Sequence, residues 1–195
     1  MEYKYLSEVK NVAKIAFING SPSLTSRINA VIEFAESSLR GAGFEVERIN
    51  VAELPPGDLI HTKFESEPIV KANGIVAEAD AVIIASPVYK ASYTGVLKTF
   101  LDLIPERGLA GKTILPLFIG GSLAHLLTMD YALKPVLSVL GARHILAGVY
   151  TVDAQVARND QGGLDIAPEL AERLQAGIQE FTEEIHIREN QKSLK

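Results

Sequence analysis

Short runs of apolar, β-branched residues alternate along this chain with longer stretches in which apolar positions recur every three or four residues. The short runs are "KIAFIN" (14–19), "EVERINV" (45–51), "AVIIAS" (81–86), "KTILPLFIG" (112–120) and "HILAGVYT" (144–151). The first, third and fifth are almost continuously apolar, as strands buried on both faces are. "EVERINV" alternates instead and reads as an edge strand. Helical patterns cover 28–41, 64–78, 94–104, 123–140 and 168–187. In the first of these Val31, Ile32, Ala35 and Leu39 share one face, and "GAG" ends it with a C-cap glycine. Pro168 opens the last at a position where proline is tolerated.

Five β-α units in succession predict an α/β fold, a doubly wound parallel sheet with helices on both faces. The commonest order for five such strands is 2-1-3-4-5, and ligands then sit between strands 1 and 3 at their carboxyl ends. One domain is expected over 14–187, with an N-terminal extension (1–13) and a C-terminal tail (188–195), both frayed. "QVARNDQGGLD" (155–165) is the longest polar loop.

This topology brings three loops together. "GSPSLTSRIN" (20–29) holds Ser21, Ser23, Thr25 and Ser26, one arginine, Arg27, and the start of a helix. Hydroxyls and helix N-terminal N–H groups suit a phosphate monoester; the alternative is that Ser26 or Asn29 merely caps the helix, but four hydroxyls exceed what capping needs. "SPVYKASYTG" (86–95) carries Pro87, which is expected to fix a sharp exit from the third strand. Val88, Tyr89 and Lys90 follow, with backbone to present to a flat polar ring and a tyrosine as an apolar wall. "GGSLAH" (120–125) brings Gly120 and Gly121, which permit close approach of backbone to a ligand, and Ser122 at the expected start of a helix. A phosphate site, a flat-ring site and a glycine wall at one switch point fit flavin mononucleotide (FMN).

Composition narrows the alternatives. With 195 residues, 47% of them hydrophobic, the chain is long enough for one substantial core. A net charge of −5 argues against a nucleic-acid surface. There is no cysteine, which excludes disulfides, thiolate catalysis and thiolate-bound metal. No apolar run approaches the ~20 residues that span a bilayer, and the first residues are not a signal peptide, so a cytoplasmic protein is expected. The first loop matches neither the P-loop nor the GxGxxG pattern, and there is no GxSxG nucleophile elbow. His61, His125, His144 and His186 show no metal spacing. A flavin carries its own hydride chemistry, so the absence of an obvious acid, base or nucleophile is consistent with it.

"GSPSLTSR", "ASPVYKASYTGVLKTFLDLIPERGLAGK" and "PLFIGGSLAHLLTMDYALKPVLSVLGA" resemble the NADPH-dependent FMN reductases. The resemblance covers roughly 14–185 and is nearest to the flavin reductase component of two-component alkanesulfonate monooxygenases, a group serving sulfur acquisition. It implies a flavodoxin-like fold, a homo-oligomer (dimer or tetramer), NAD(P)H as reductant, and reduced FMN released to a monooxygenase as transient partner. It further implies that Ser21, Ser26, Arg27 and Asn29 bind the phosphate end. Pro87, Val88, Tyr89 and Lys90 would meet the isoalloxazine, and Gly120, Gly121 and Ser122 its far edge. Relatives often carry arginine directly after "GSP", where this chain has Ser23, which weakens the expected charge clamp.

Two other readings use the same pocket or fold. One is a quinone, azo-dye or metal-ion reductase with tightly held FMN. The other is a flavodoxin-type electron carrier, against which the mild charge and the lack of tryptophan speak. A signalling receiver would need aspartate at the end of the third strand, where Ser86 stands. NADPH needs a cation for its 2′-phosphate, and Arg27, Arg107 and Arg143 are open candidates.

The pattern over 123–140 is apolar almost all round, which predicts a second buried face at a subunit contact. Pro135 denies the Tyr131 carbonyl its α-helical donor. The chain must kink there or widen into a π-turn. The resemblance, with its inserted tyrosine in "MDYALKP", favours the π-turn, with Tyr131 at a subunit contact close to the pocket. A plain kink with Tyr131 packed in the core is the alternative.

Overall fold

The computed structural model describes residues 12–193. The expected extension therefore lies mostly outside the described residues. The strands are β1 (Lys14–Asn19), β2 (Glu45–Asn50), β3 (Ala81–Tyr89), β4 (Ser92–Tyr93), β5 (Thr113–Gly120), β6 (His144–Ile145), β7 (Val149–Val152), β8 (Val156–Arg158) and β9 (Leu164–Ile166). The helices are α1 (Ile28–Gly41), α2 (Pro56–Ile60), α3 (Glu67–Glu78), α4 (Gly95–Leu101), α5 (Lys134–Val139) and α6 (Pro168–Ser193). The main sheet runs β2-β1-β3-β5-β6, all parallel, with β7 also paired to β5 and β4 antiparallel to β3. This is the doubly wound order expected, with β2 at the edge.

Alternate residues of each central strand feed two separate cores. Ile15 and Phe17 of β1, Ile83 of β3 and Leu115 and Leu117 of β5 pack beneath α1 and α6 with Leu39, Leu174, Ile178 and Phe181. Ala16, Ile18, Val82, Ile84, Ile114 and Phe118 face the other way, against Ile69, Leu97, Phe100, Leu133 and Leu137. Both faces of the central strands are thus dry, which is why their sequences are continuously apolar. At the edge, β2 buries Val46 and Ile49, while Arg48 clamps Glu36 of α1 through two 2.6 Å bonds.

In the strands, the polar stretch after them and the last helix, the structure differs from the sequence reading in four places. The fifth strand is split. Ile114 faces that strand, since its carbonyl accepts from Leu146 N. Pro116 shares this parity but has no N–H to offer, so the ladder lapses between Ile114↔Ile145 and Leu117↔Val149. Gly148 fills the gap at φ 81°, where a Cβ would stand 2.6 Å from the Pro116 carbonyl. Second, β3 does not turn sharply at Pro87 but continues to Tyr89, with Pro87 paired to Ile119. Pro87 lies beyond the end of β1, where no neighbour on that side needs its N–H. Third, part of the polar stretch 155–165 is a two-stranded hairpin, β8–β9. Fourth, α6 continues through Ser193, past the expected end at 187, and Arg188 on its last turns donates to the Gly111 carbonyl.

The stretch 123–140 is a three-residue 3₁₀ turn (Leu123–His125), then a π-helix (Met129–Leu133), then α5 with Pro135 in its first turn. The wide turn absorbs the donor that Pro135 lacks. Tyr131 lies on its outside and is 78% exposed, so it is not packed in the core.

Candidate functional site

The first loop is held by its own polar groups before any ligand arrives. Asn19, buried at the end of β1, donates to Asn29 and Asn50 and accepts from the Ser21 amide at 3.0 Å. Ser21 is buried; its hydroxyl donates to the Ser23 carbonyl and accepts from the Ser23 amide. Asn29 donates to the Leu24 carbonyl. Ser21 and Asn29 therefore lie inside the loop, where they shape it. The hydroxyls left on the open side are Ser23, Thr25 and Ser26. None of them caps α1, whose N-cap residue is Arg27 and carries no side-chain cap bond.

A second network ties this loop to the next. Thr94, at the N-terminus of α4, accepts from the Leu97 amide and donates to the Gly20 carbonyl. The Ser86 hydroxyl accepts from the Thr94 amide and donates to the Pro87 carbonyl. Gly20 is required by this packing, since a Cβ there would lie 2.5 Å from the Cβ of Leu97. Beyond it, β3 turns into β4 through Lys90 and Ala91, at φ 51° and 60°. Positive φ at both central residues belongs to a tight two-residue hairpin turn, which usually takes asparagine and glycine. The turn leaves Tyr89 on the rim, about half-exposed.

The third wall comes from β5 and β7. Tyr150 is buried and donates from its hydroxyl to the Ser122 carbonyl at 2.9 Å. Burial, and secondarily the nearby Asp153 carboxylate, raise its pKa above the ordinary tyrosine value, so it stays a donor. Arg173 of α6 fixes the following loop by donating to the Tyr150 carbonyl and to Gln155. Asp153 is thereby held beside Gly121. Only a short 3₁₀ turn follows Ser122, whose side chain makes no cap bond, so the long helix expected to start here is not present.

These parts enclose a cleft of about 350 Å³ at the carboxyl ends of β1, β3 and β5. Ser23, Thr25, Ser26 and Arg27 form one end. Pro87, Val88 and Tyr89 form one side, and Ile119, Gly120 and Gly121 the other. Asp153 and Arg158 complete it. Lys90 and Ser122 adjoin the cleft without forming its wall. Of the cations considered for a nicotinamide 2′-phosphate, Arg27 is in the wall. Arg107 and Arg143 lie at the opposite end of the sheet, before β5 and β6, where Arg143 donates to the Ser138 carbonyl.

The two glycines differ. A Cβ on Gly120 would strike the Tyr150 hydroxyl at 2.2 Å, so this glycine serves internal packing. A Cβ on Gly121 would meet nothing nearer than Asp153 Oδ2 at 3.9 Å and would occupy open space beside the cleft. Bare backbone at Gly121, hydroxyls at one end and an apolar side at Pro87–Val88 together fit a phosphorylated flavin.

Asp153 and Arg158 were missed from the sequence. Both follow the last parallel strand; Arg158 lies in the stretch that read as polar loop, and only the β8–β9 hairpin folds it back onto the first loop.

The family model of NADPH-dependent FMN reductases matches residues 13–157. The chain belongs to this family. It is 42% identical over 178 residues to an FMN reductase (NADPH) of Escherichia coli, covering 91% of this chain and 93% of that one. To an FMN reductase (NADPH) of Pseudomonas putida it is 44% identical over 168 residues, 86% and 85% of the two chains. The crystal structure of an NADH:FMN oxidoreductase (EMOB) in its apo form superposes with a TM-score of 0.78 at 36% identity, covering 87% of this chain and 88% of that chain. The protein is thus an oxidoreductase of a flavodoxin-like family whose cofactors are FMN and NADPH.

Proposed function

We propose that this enzyme reduces FMN at the expense of NADPH and releases reduced FMN to an FMN-dependent monooxygenase, of the alkanesulfonate type, in the cytoplasm. The observation that carries this reading is the convergence of the hydroxyl loop, the β3 end and Gly121 on one open cleft. When bound, the isoalloxazine supplies the hydride chemistry. The chain's part is to hold and orient. Ser26, Arg27 and the loop amides take the phosphate, with Ser21 and Asn29 keeping the loop in shape. Pro87, Val88 and Tyr89 offer backbone and one apolar side to the ring, and Gly121 lets it approach. Lys90 and Ser122 contribute through backbone position. The ionisable side chains in the wall, Arg27, Tyr89, Asp153 and Arg158, suit binding better than proton transfer.

The open side favours exchange. Among the described residues, no aromatic side chain besides Tyr89 contributes to the wall, and Tyr89 is 53% exposed. The cleft's open side would leave a bound flavin accessible to a nicotinamide and free to exchange. Leu123, Leu126, Leu127, Tyr131 and Val139 are exposed large hydrophobics over the neighbouring stretch. Such a patch supports assembly into a dimer or tetramer, with Tyr131 in the contact; sedimentation showing a monomer at micromolar concentration would refute that part.

The test is the colour of the purified protein, followed by steady-state oxidation of NADPH and NADH with FMN, FAD or riboflavin added. A colourless protein whose NADPH oxidation depends on added FMN supports the proposal. A yellow protein that reduces quinones or dyes without added flavin would favour a reductase with tightly held FMN.

A further inference from the structure

We propose that Arg158, at the end of β8, is a ligand of the FMN 5′-phosphate, and that the β8–β9 hairpin joins the first loop in distinguishing FMN from riboflavin. The inference rests on the flavin reading of the cleft and assigns a residue outside the loop that the family resemblance marks.

The hairpin and the first loop are cross-braced by two arginines. Arg158 Nη2 donates to the Thr25 carbonyl at 2.8 Å, and Arg27 Nε donates to the Val156 carbonyl at 3.0 Å. Each guanidinium has five donors in a planar fork. One donor on each is committed in this way, and the others have no protein partner among the described residues. Both side chains line the cleft beside Ser23, Thr25 and Ser26.

Charge makes the second arginine necessary. A phosphate monoester carries about −1.5 to −2 charges at neutral pH. The charged side chains in the wall are Arg27, Asp153 and Arg158. Without Arg158 the formal charges of Arg27 and Asp153 sum to zero, and a dianion meets a single cationic side chain, Arg27. With it the wall is net positive, and two forks flank the hydroxyls, the geometry that recognises phosphate most strongly.

The arm that carries Arg158 is built, not loose. Val156 is buried in the core beneath α1, and Leu164 and Ile166 pack on the same core. The Asn159 side chain accepts from the Gln161 and Gly163 amides and donates to Asp165, closing the turn.

Fluorescence titration of FMN and of riboflavin against wild type and Arg158→Gln, at low and high salt, tests this. Loss of a charge-assisted bond to phosphate raises the FMN Kd at least about tenfold and leaves riboflavin, which has no phosphate, unchanged. The salt dependence of FMN binding falls as well. Arg158→Lys, which keeps the charge without the fork, lies between. FMN-selective weakening with an unchanged salt dependence would show that Arg158 only braces the phosphate loop through Thr25. Equal weakening of both flavins would place it away from the phosphate, and unchanged FMN binding would show that it does neither; any of these overturns the proposal. If wild type binds neither flavin, it is the flavin reading of the cleft that fails.

Discussion

The Tyr150 hydroxyl stands 2.2 Å from the point where a side chain on Gly120 would begin. The same hydroxyl donates to the Ser122 carbonyl, so ring and glycine together fix the turn at the top of β5. Gly120→Ala should therefore cost about 1–3 kcal/mol of stability, the range of overpacking in a filled interior. Tyr150→Phe should cost about 1 kcal/mol for the lost bond. In the double variant the nearest remaining atoms lie at 3.3 Å, so its cost should be less than the sum. Urea denaturation of the four proteins measures the coupling, and simple additivity would contradict this packing.

Tyr150 also predicts a pH effect. Its folded pKa lies above the ordinary value of 10.0, through burial first and Asp153 second. Its contribution is then fully present below about pH 10 and is lost as pH rises through the higher folded value. The alkaline fall in stability should be shallower in Tyr150→Phe, as thermal melts between neutral and strongly alkaline pH would show.

Gly121 should behave in the opposite way to Gly120. A Cβ there meets no atom beyond its chain neighbours closer than 3.9 Å, so Gly121→Ala should fold with nearly unchanged stability. It should weaken FMN and riboflavin alike, because it intrudes where the ring lies. Loss of stability without loss of binding would reverse the roles assigned to the two glycines.

Ser26→Ala separates the phosphate end from the ring. It should weaken FMN by about 1–2 kcal/mol, the scale of one hydrogen bond to a charged group. Riboflavin should be affected little. Calorimetric titration of both flavins decides, and equal weakening would place Ser26 elsewhere.

The turn at Lys90 and Ala91 carries backbone strain, since both have positive φ and neither is glycine. Ala91→Gly should stabilise the protein by up to about 1 kcal/mol, relief of strain being partly offset by glycine's larger unfolded entropy. Lys90→Ala should leave flavin reduction largely intact, because the lysine side chain does not form the cleft wall. Normal FMN binding with complete loss of NADPH oxidation in Lys90→Ala would give the side chain a chemical role.

Much of the architecture was legible because each signal was local or strongly periodic. Alternating burial toward two cores makes β1 and β3 continuously apolar, and that pattern points to a parallel sheet and its switch point. The fourth run, β5, is buried on both faces as well, whereas the fifth run, which also read as doubly buried, leaves His144 exposed. The broken last strand was less visible, although Pro116 was in view. Its consequence falls on a neighbour thirty residues away, and only pairing shows which side the missing N–H would have faced. Ser21 and Asn29 look in sequence like Ser23 and Ser26. What separates them is Asn19, which draws two of the four into the loop's interior. Arg158 was illegible for a related reason: three-residue strands are too short for a period, so nothing announced that "VAR" folds back onto Thr25.

The central claim is that reduced FMN leaves. Anaerobic incubation of a small amount of protein with NADPH and a large excess of FMN, followed by filtration through a membrane that retains protein, tests it directly. Many equivalents of FMN per protein should be reduced, and the reduced flavin should pass into the filtrate. Reduction that stops at one equivalent and stays with the protein would contradict it.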